Sequence, residues 1–171
     1  MTDSGLTPEA RETVWRFVHD VLPVRCSLAV MKLTSVTVCP LCKAQPETAA
    51  HLFFECATAR VVWTKIESNF FLKLPTESNK TLYLNFGYAD VDAERTAAVV
   101  CSEVMHAIWL CRNRAHFDGE EYGAPRVLGA CLARVRRRVA ADQSRMPPDD
   151  FNAAWGRHGA PASTGPRAIC V

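Results

Sequence analysis

Cys39-Pro40-Leu41-Cys42 is followed after eight residues by His51 and after four more by Cys56. No other feature of the sequence restricts the fold as much. A Cys-x2-Cys turn presents two thiols from one tight loop, and a His and a Cys a short way on can complete the four N/S ligands that tetrahedral zinc takes at about 2.0–2.3 Å. Cys39, Cys42, His51 and Cys56 are therefore the candidate metal ligands. Three thiolates and one imidazole leave no open coordination position, so the expected ion is a single structural Zn2+ rather than a catalytic one. Around such an ion the cysteine sulfurs lie roughly 3.5–4 Å apart. His51 and Cys56 are five residues apart, about 140° around an ideal helix, so an undistorted helix cannot aim both at one point. Either His51 sits at a helix start or Cys56 lies just past its end.

The rest of the composition fits a globular body. The chain has 171 residues, 49% of them hydrophobic and 22% charged, enough to bury a core without disulfides. Its eight cysteines and the absence of an export signal in Met1-Thr-Asp-Ser-Gly-Leu lead us to expect thiols or metal ligands in an intracellular protein. No run reaches the roughly 18 apolar residues of a membrane span.

Hydrophobic periodicity predicts a mainly α fold: a small zinc-stapled helical domain, then a long-helix hairpin, with at most one or two short strands. Thr7-Pro8-Glu9 reads as a helix start, and Val14, Phe17, Val18, Val21 and Leu22 carry the apolar stripe toward Pro23. A short helix over 24–31, an extended or looped 33–38, and helices over 47–55 and 58–71 follow. Residues 72–91 read as a connector with one short strand in Leu-Tyr-Leu-Asn-Phe. Asp92 is the expected N-cap of a long helix to Phe117, and Pro125 opens another that ends before Met146-Pro147-Pro148. The expected divisions are 1–90 (core 14–64), 91–146, and a flexible C-terminal tail over 147–171. Trp15, Trp63 and Trp109 fall in apolar stripes and are expected in the core.

Charge is unevenly spread: residues 1–60 sum to 0, residues 61–122 to −3 and residues 123–171 to +5. Arg134, Arg136, Arg137, Arg138 and Arg145 stand close together on the second helix of the hairpin. The apolar positions Val127, Leu128, Cys131, Leu132, Val135 and Val139 form a stripe that should pack on the long helix, leaving the arginines exposed. Such a row can follow phosphates but has no evident base-reading geometry. Arg134, Arg136, Arg137 and Arg138 are the candidate nucleic-acid contacts. Arg112 and Arg114 could reach phosphate or simply complement the end of the long helix.

Other constellations are weaker. Cys101, His106, Cys111 and His116 recur every five residues but splay around one helix, so core cysteines and boundary histidines explain them better than a second metal site. Asp149-Asp150 has no strand context for polymerase metals and reads as a turn or cap. Cys26, Cys131 and Cys170 lie in no nucleophile signature. No small-molecule site is evident, and no enzymatic activity is expected.

Trp15, Leu22-Pro23-Val24-Arg25, the Cys39–Cys42 pair, Glu47-Thr48-Ala49-Ala50-His51-Leu52-Phe53-Phe54-Glu55-Cys56 and Trp63 together resemble the zinc-binding domain that follows reverse transcriptase in LINE-type, non-LTR retrotransposons. Ala107-Ile-Trp-Leu-Cys-Arg112-Asn113-Arg114-Ala-His-Phe117 is similar to a segment that often trails it. The resemblance implies zinc ligation by Cys39, Cys42, His51 and Cys56, contact with template RNA or target DNA, and association with a reverse transcriptase core. The chain looks like the detached C-terminal portion of a retroelement protein. The alternative is a protein-docking scaffold with a structural zinc and no nucleic-acid binding.

Overall fold

The computed structural model describes residues 5–72, 74 and 89–156. Its elements are α1 (Pro8–Val18), α2 (Arg25–Val30), a π-helical turn (His51–Glu55), α3 (Ala57–Phe70), α4 (Val91–Phe117), α5 (Ala124–Arg145) and α6 (Pro148–Trp155). The fold is mainly α, and the pairing of Val38 with Pro46 is an isolated antiparallel bridge outside any strand. The short strand expected in the connector lies outside the described residues.

The axis of the molecule is α4. Its 27 residues rise about 40 Å, and it is buried nearly all round, as a helix enclosed by others must be. α1 and α5 pack along it, α6 crosses its first half, and α3 lies against α5. One continuous core runs from Phe17, Phe53 and Trp63 through Val100, Val104 and Ile108 to Val135 and Trp155. The boundary drawn at residue 90 is therefore no break in the packing. Asp90, not Asp92, caps α4: its side chain accepts the Asp92 N–H at 2.9 Å.

Buried polar groups pin the flanking helices to this axis. Glu103 accepts a hydrogen bond at 2.8 Å from the Thr7 hydroxyl, at the N-cap of α1, and pairs with Arg134 of α5. Thr13 and the His106 Nδ1 lie 2.7 Å apart at the α1–α4 contact. Burial, and next the nearby Arg134 charge, hold His106 below the usual histidine range, so the imidazole is neutral there. The thiols of the core are inert for the same reason: burial raises Cys101 to about 12 and Cys111 to about 11.

Three expectations are corrected. α1 stops at Val18 rather than near Leu22, because Asp20 adopts a left-handed conformation (φ 56°) and turns the chain before Pro23. Trp15 faces outward: it is 54% exposed, stacked on His19 at 4.4 Å, while Trp63 and Trp109 are buried. Residues 148–155 are not tail. Pro147 and Pro148 start α6, Asp149 and Asp150 complement its N-terminal end, and Trp155 closes against Asp142 with Nε1–Oδ2 at 3.2 Å. Ala154 O also accepts from Thr96 of α4 at 2.8 Å. The tail beyond 156 lies outside the described residues.

Trp155→Ala should cost about 3–5 kcal/mol by urea unfolding. It should also expose the α6 amides to hydrogen exchange while the central amides of α4 stay protected.

Candidate metal centre

Two short pieces of irregular backbone bring the four candidate ligands together. The first is a closed loop: the Val38–Pro46 bridge is flanked by Glu47 N–H donating to Thr37 O at 2.7 Å and Cys39 N–H donating to Gln45 O at 2.8 Å. Inside it Lys43 N–H donates to Cys39 O at 2.9 Å, and Lys43 takes a left-handed φ of 55°. This tight turn sets Cys39 and Cys42 side by side, with Leu41 buried beneath.

The second piece resolves the five-residue spacing of His51 and Cys56. Thr48 caps the segment, its hydroxyl accepting the His51 N–H at 2.9 Å. The chain then makes a π-helical turn, and Cys56 N–H donates to His51 O at 2.7 Å, an i→i+5 bond. Cys56 itself is extended (φ −58°, ψ 132°), so it lies just past the turn and swings back toward His51. Both alternatives read from the spacing hold at once: His51 opens the turn and Cys56 follows it. Aromatic packing holds this register. Trp63 Nε1 donates to Phe53 O at 2.5 Å, Phe54 stacks on Trp63 at 5.9 Å, and Phe17 meets Phe53 edge-on at 5.4 Å.

The ligand atoms of Cys39, Cys42, His51 and Cys56 all lie within 4.8 Å of one another, with Cys42 Sγ and His51 Nε2 3.4 Å apart. Among the described residues this is the only such group, and Cys101, His106, Cys111 and His116 do not form a second. The Cys39 thiol donates to Cys56, which pulls Cys56 down to about 5 against the opposing effect of burial. The Ala59 and Thr58 amides at the start of α3 lower it further. Donating to Cys56, and then burial, push Cys39 up. Thiolate is the form that ligates zinc, so metal binding at these cysteines releases protons. The donor set, its closure and its burial fit one tetrahedral ion.

Beneath the loop lies an arrangement that the sequence reading missed. Glu47 and Arg112 form a bidentate ion pair, Oε1–Nε 2.7 Å and Oε2–Nη2 2.8 Å, with side chains 0% and 1% exposed. Oε2 also accepts the Arg25 N–H at 2.7 Å, and Arg112 donates to Pro23 O at 3.2 Å and lies 5.0 Å over the Trp109 ring. Arg25 in turn reaches Val38 O at 2.5 Å and the His116 Nδ1 at 3.1 Å. Burial, then Arg112 and Arg25, hold His116 low, leaving its ring nitrogen free to accept. Arg112 is thus neither a phosphate contact nor a solvated helix end: it clasps the metal loop to α4. The available signal was Glu47, a lone acid just before the small-residue and aromatic run into Cys56.

The arginines of α5 are not one exposed row. Val127, Cys131, Val135 and Val139 are buried as expected, but only Arg136 and Arg137 of the four candidates are exposed. Arg134 is tied to buried Glu103, and Arg138 donates to Asp142 at 2.9 Å. The stripe positions were right. The faces assigned to Arg134 and Arg138 were corrected by acids on α4 and α5 that reach them.

Two outcomes test the centre. Purified chain should carry about one equivalent of zinc, lost in Cys42→Ser, and chelation should open residues 36–64 to hydrogen exchange before α4 and α5. Separately, Glu47→Ala should cost about 3–5 kcal/mol in urea unfolding, because it strands a buried guanidinium. The double variant Glu47→Leu with Arg112→Met should recover much of that loss.

Residues 3–63 match the protein family described as zinc-binding in reverse transcriptase. No curated protein and no solved structure matches the chain. The matched stretch holds the closed loop, the π-helical turn and all four ligands. Residues 3–63 are thus a zinc-binding domain of the reverse-transcriptase-associated family, with Cys39, Cys42, His51 and Cys56 as the site of one structural zinc ion.

Proposed function

We propose that the chain is a non-catalytic module of a LINE-type, non-LTR retrotransposon protein that contacts the phosphate backbone of RNA or DNA. The observation that carries this reading is the cationic surface of α5, where Arg137 and Arg145 are exposed on a helix firmly seated on α4. Arginine is the residue best suited to phosphate, since its planar fork makes paired hydrogen bonds and it stays charged. A zinc-binding domain of the reverse-transcriptase-associated family at the other end of the fold supports the same assignment. The buried acids Glu47 and Glu103 are consumed in ion pairs, and the buried thiols of Cys101 and Cys111 are held protonated, so these groups offer no acid, base or nucleophile.

A second reading has its own observation. Val30, Met31, Leu33 and Val36 are exposed together on α2 and the following loop, a surface suited to docking a protein such as a polymerase core.

Binding to mixed-sequence RNA and DNA should be insensitive to sequence and fall steeply with salt. Removing the exposed arginines at once, with Arg136, Arg137 and Arg145 all replaced by glutamine, should lower affinity at least about tenfold and flatten the log–log salt slope by at least about 1.4 units. The melting temperature should stay unchanged, as exposed substitutions cost within about 0.5 kcal/mol each. Fluorescence anisotropy across a salt series reads both. Affinity that does not respond to salt or to the triple substitution would transfer the assignment to the docking reading.

A further inference from the structure

We infer that Arg137 and Arg145 form the phosphate-contacting floor of a groove between α5, the start of α1 and α6, and that Arg136 stands outside it. This rests on the nucleic-acid reading above and goes further by naming which arginines act and how they are presented.

A recess of about 290 Å3 lies between Thr7 and the α5 residues Arg134, Arg137, Arg138, Ala141 and Arg145. A second, of about 460 Å3, is lined by Arg95 of α4, by Arg138 and Arg145, and by the inner side of α6. Arg138 and Arg145 border both, so the two recesses are neighbours along α5. The spacing on α5 explains this. Positions 134, 137, 138, 141 and 145 share one helix face, whereas 136 points roughly 160–200° away from 134 and 138. Arg136 accordingly lines neither recess.

The acids nearby do not cancel the charge of the first recess. Glu103 is held by Arg134 and Thr7, and Asp142 by Arg138 and the Trp155 indole. Arg137 and Arg145 make no ion pair among the described residues. The second recess also carries Asp92 and Asp150, so the cationic end is the one beside Thr7. There Ala141, between the two arginines, has only a methyl group and leaves the floor open. Arg137 and Arg145 are about 12 Å apart along the helix, a separation at which two guanidinium forks can each take a different phosphate of one strand. At the far end Arg95 and Arg138 converge on Gly5: a side chain there would stand 3.2 Å from Arg95 Nε and Nη2 and 3.7 Å from Arg138 Nη2. Gly5, at φ +65°, lets the chain pass without filling the groove. Arg134 and Arg138 are positioning residues: they neutralise the buried acids and build the wall.

The test uses the full zinc-loaded chain and mixed-sequence RNA and DNA oligonucleotides in fluorescence anisotropy across a salt series. Arg137→Gln with Arg145→Gln should weaken binding about tenfold or more and flatten the salt slope by about 1.4–1.8 units, two phosphates' worth. Ala141→Leu changes no charge but fills the floor, and should weaken binding at least about threefold with an unchanged melting temperature. Arg136→Gln should stay within about twofold of the parent. If Arg136→Gln costs as much as either groove arginine, or the double variant binds like the parent, the groove is overturned and a diffuse cationic surface remains. A parent chain that binds neither RNA nor DNA overturns both this proposal and the reading it rests on.

Discussion

The Glu47–Arg112 pair is the constraint on which the rest of the molecule depends. Two charges taken fully out of water are costly to bury, and their attraction offsets that cost only with good geometry and satisfied remaining hydrogen bonds. Here both conditions are met: the pair is bidentate, and the Arg25 amide and Pro23 carbonyl take up further capacity. The consequence is positional. The metal loop, the link between α1 and α2, and the last turns of α4 must all sit where these donors and acceptors meet. Zinc closes the loop upon itself, and the ion pair decides where the closed loop is placed.

Much of this was legible in the sequence, and the reasons for the rest are physical. The ligands could be read because Cys-x2-Cys and a following His and Cys leave few other uses for those residue types. The helices of the hairpin could be read because Val127, Cys131, Val135 and Val139 repeat at helical spacing on one side. The end of α1 could not, because Asp20 in a left-handed turn leaves no compositional mark. The π-helical turn was visible only as a contradiction, a spacing that no regular helix satisfies. Its resolution depends on Phe53, Phe54 and Trp63, whose mutual packing is tertiary.

Arginine shows the same limit more sharply. Arg112, Arg134, Arg136, Arg137, Arg138 and Arg145 are chemically alike, yet one lies in the core, two brace α5 and three face outward. What separates them is the position of acids distant in sequence: Glu47 lies 65 residues from Arg112, and Glu103 lies 31 from Arg134. Periodicity gives the direction in which a side chain leaves its helix. It does not give what comes to meet it. The cationic surface of α5 is therefore the remainder left after structural pairing, and it is smaller and more localised than the count of arginines implies.

The separation of Glu47 and Arg112 also bears on how the chain is made. Nascent chains lengthen at about 5–20 residues per second, so roughly 3–13 s pass between the synthesis of Glu47 and that of Arg112. During that interval the four ligands are complete while Glu47 has no cationic mate, and closing so long a loop carries an entropic cost until α4 exists. Metal capture is local and early; docking is distant and late. The stretch that the family match delimits, residues 3–63, stops short of Arg112. The matched stretch therefore holds the metal ligands and Glu47 but not the arginine that docks them on α4.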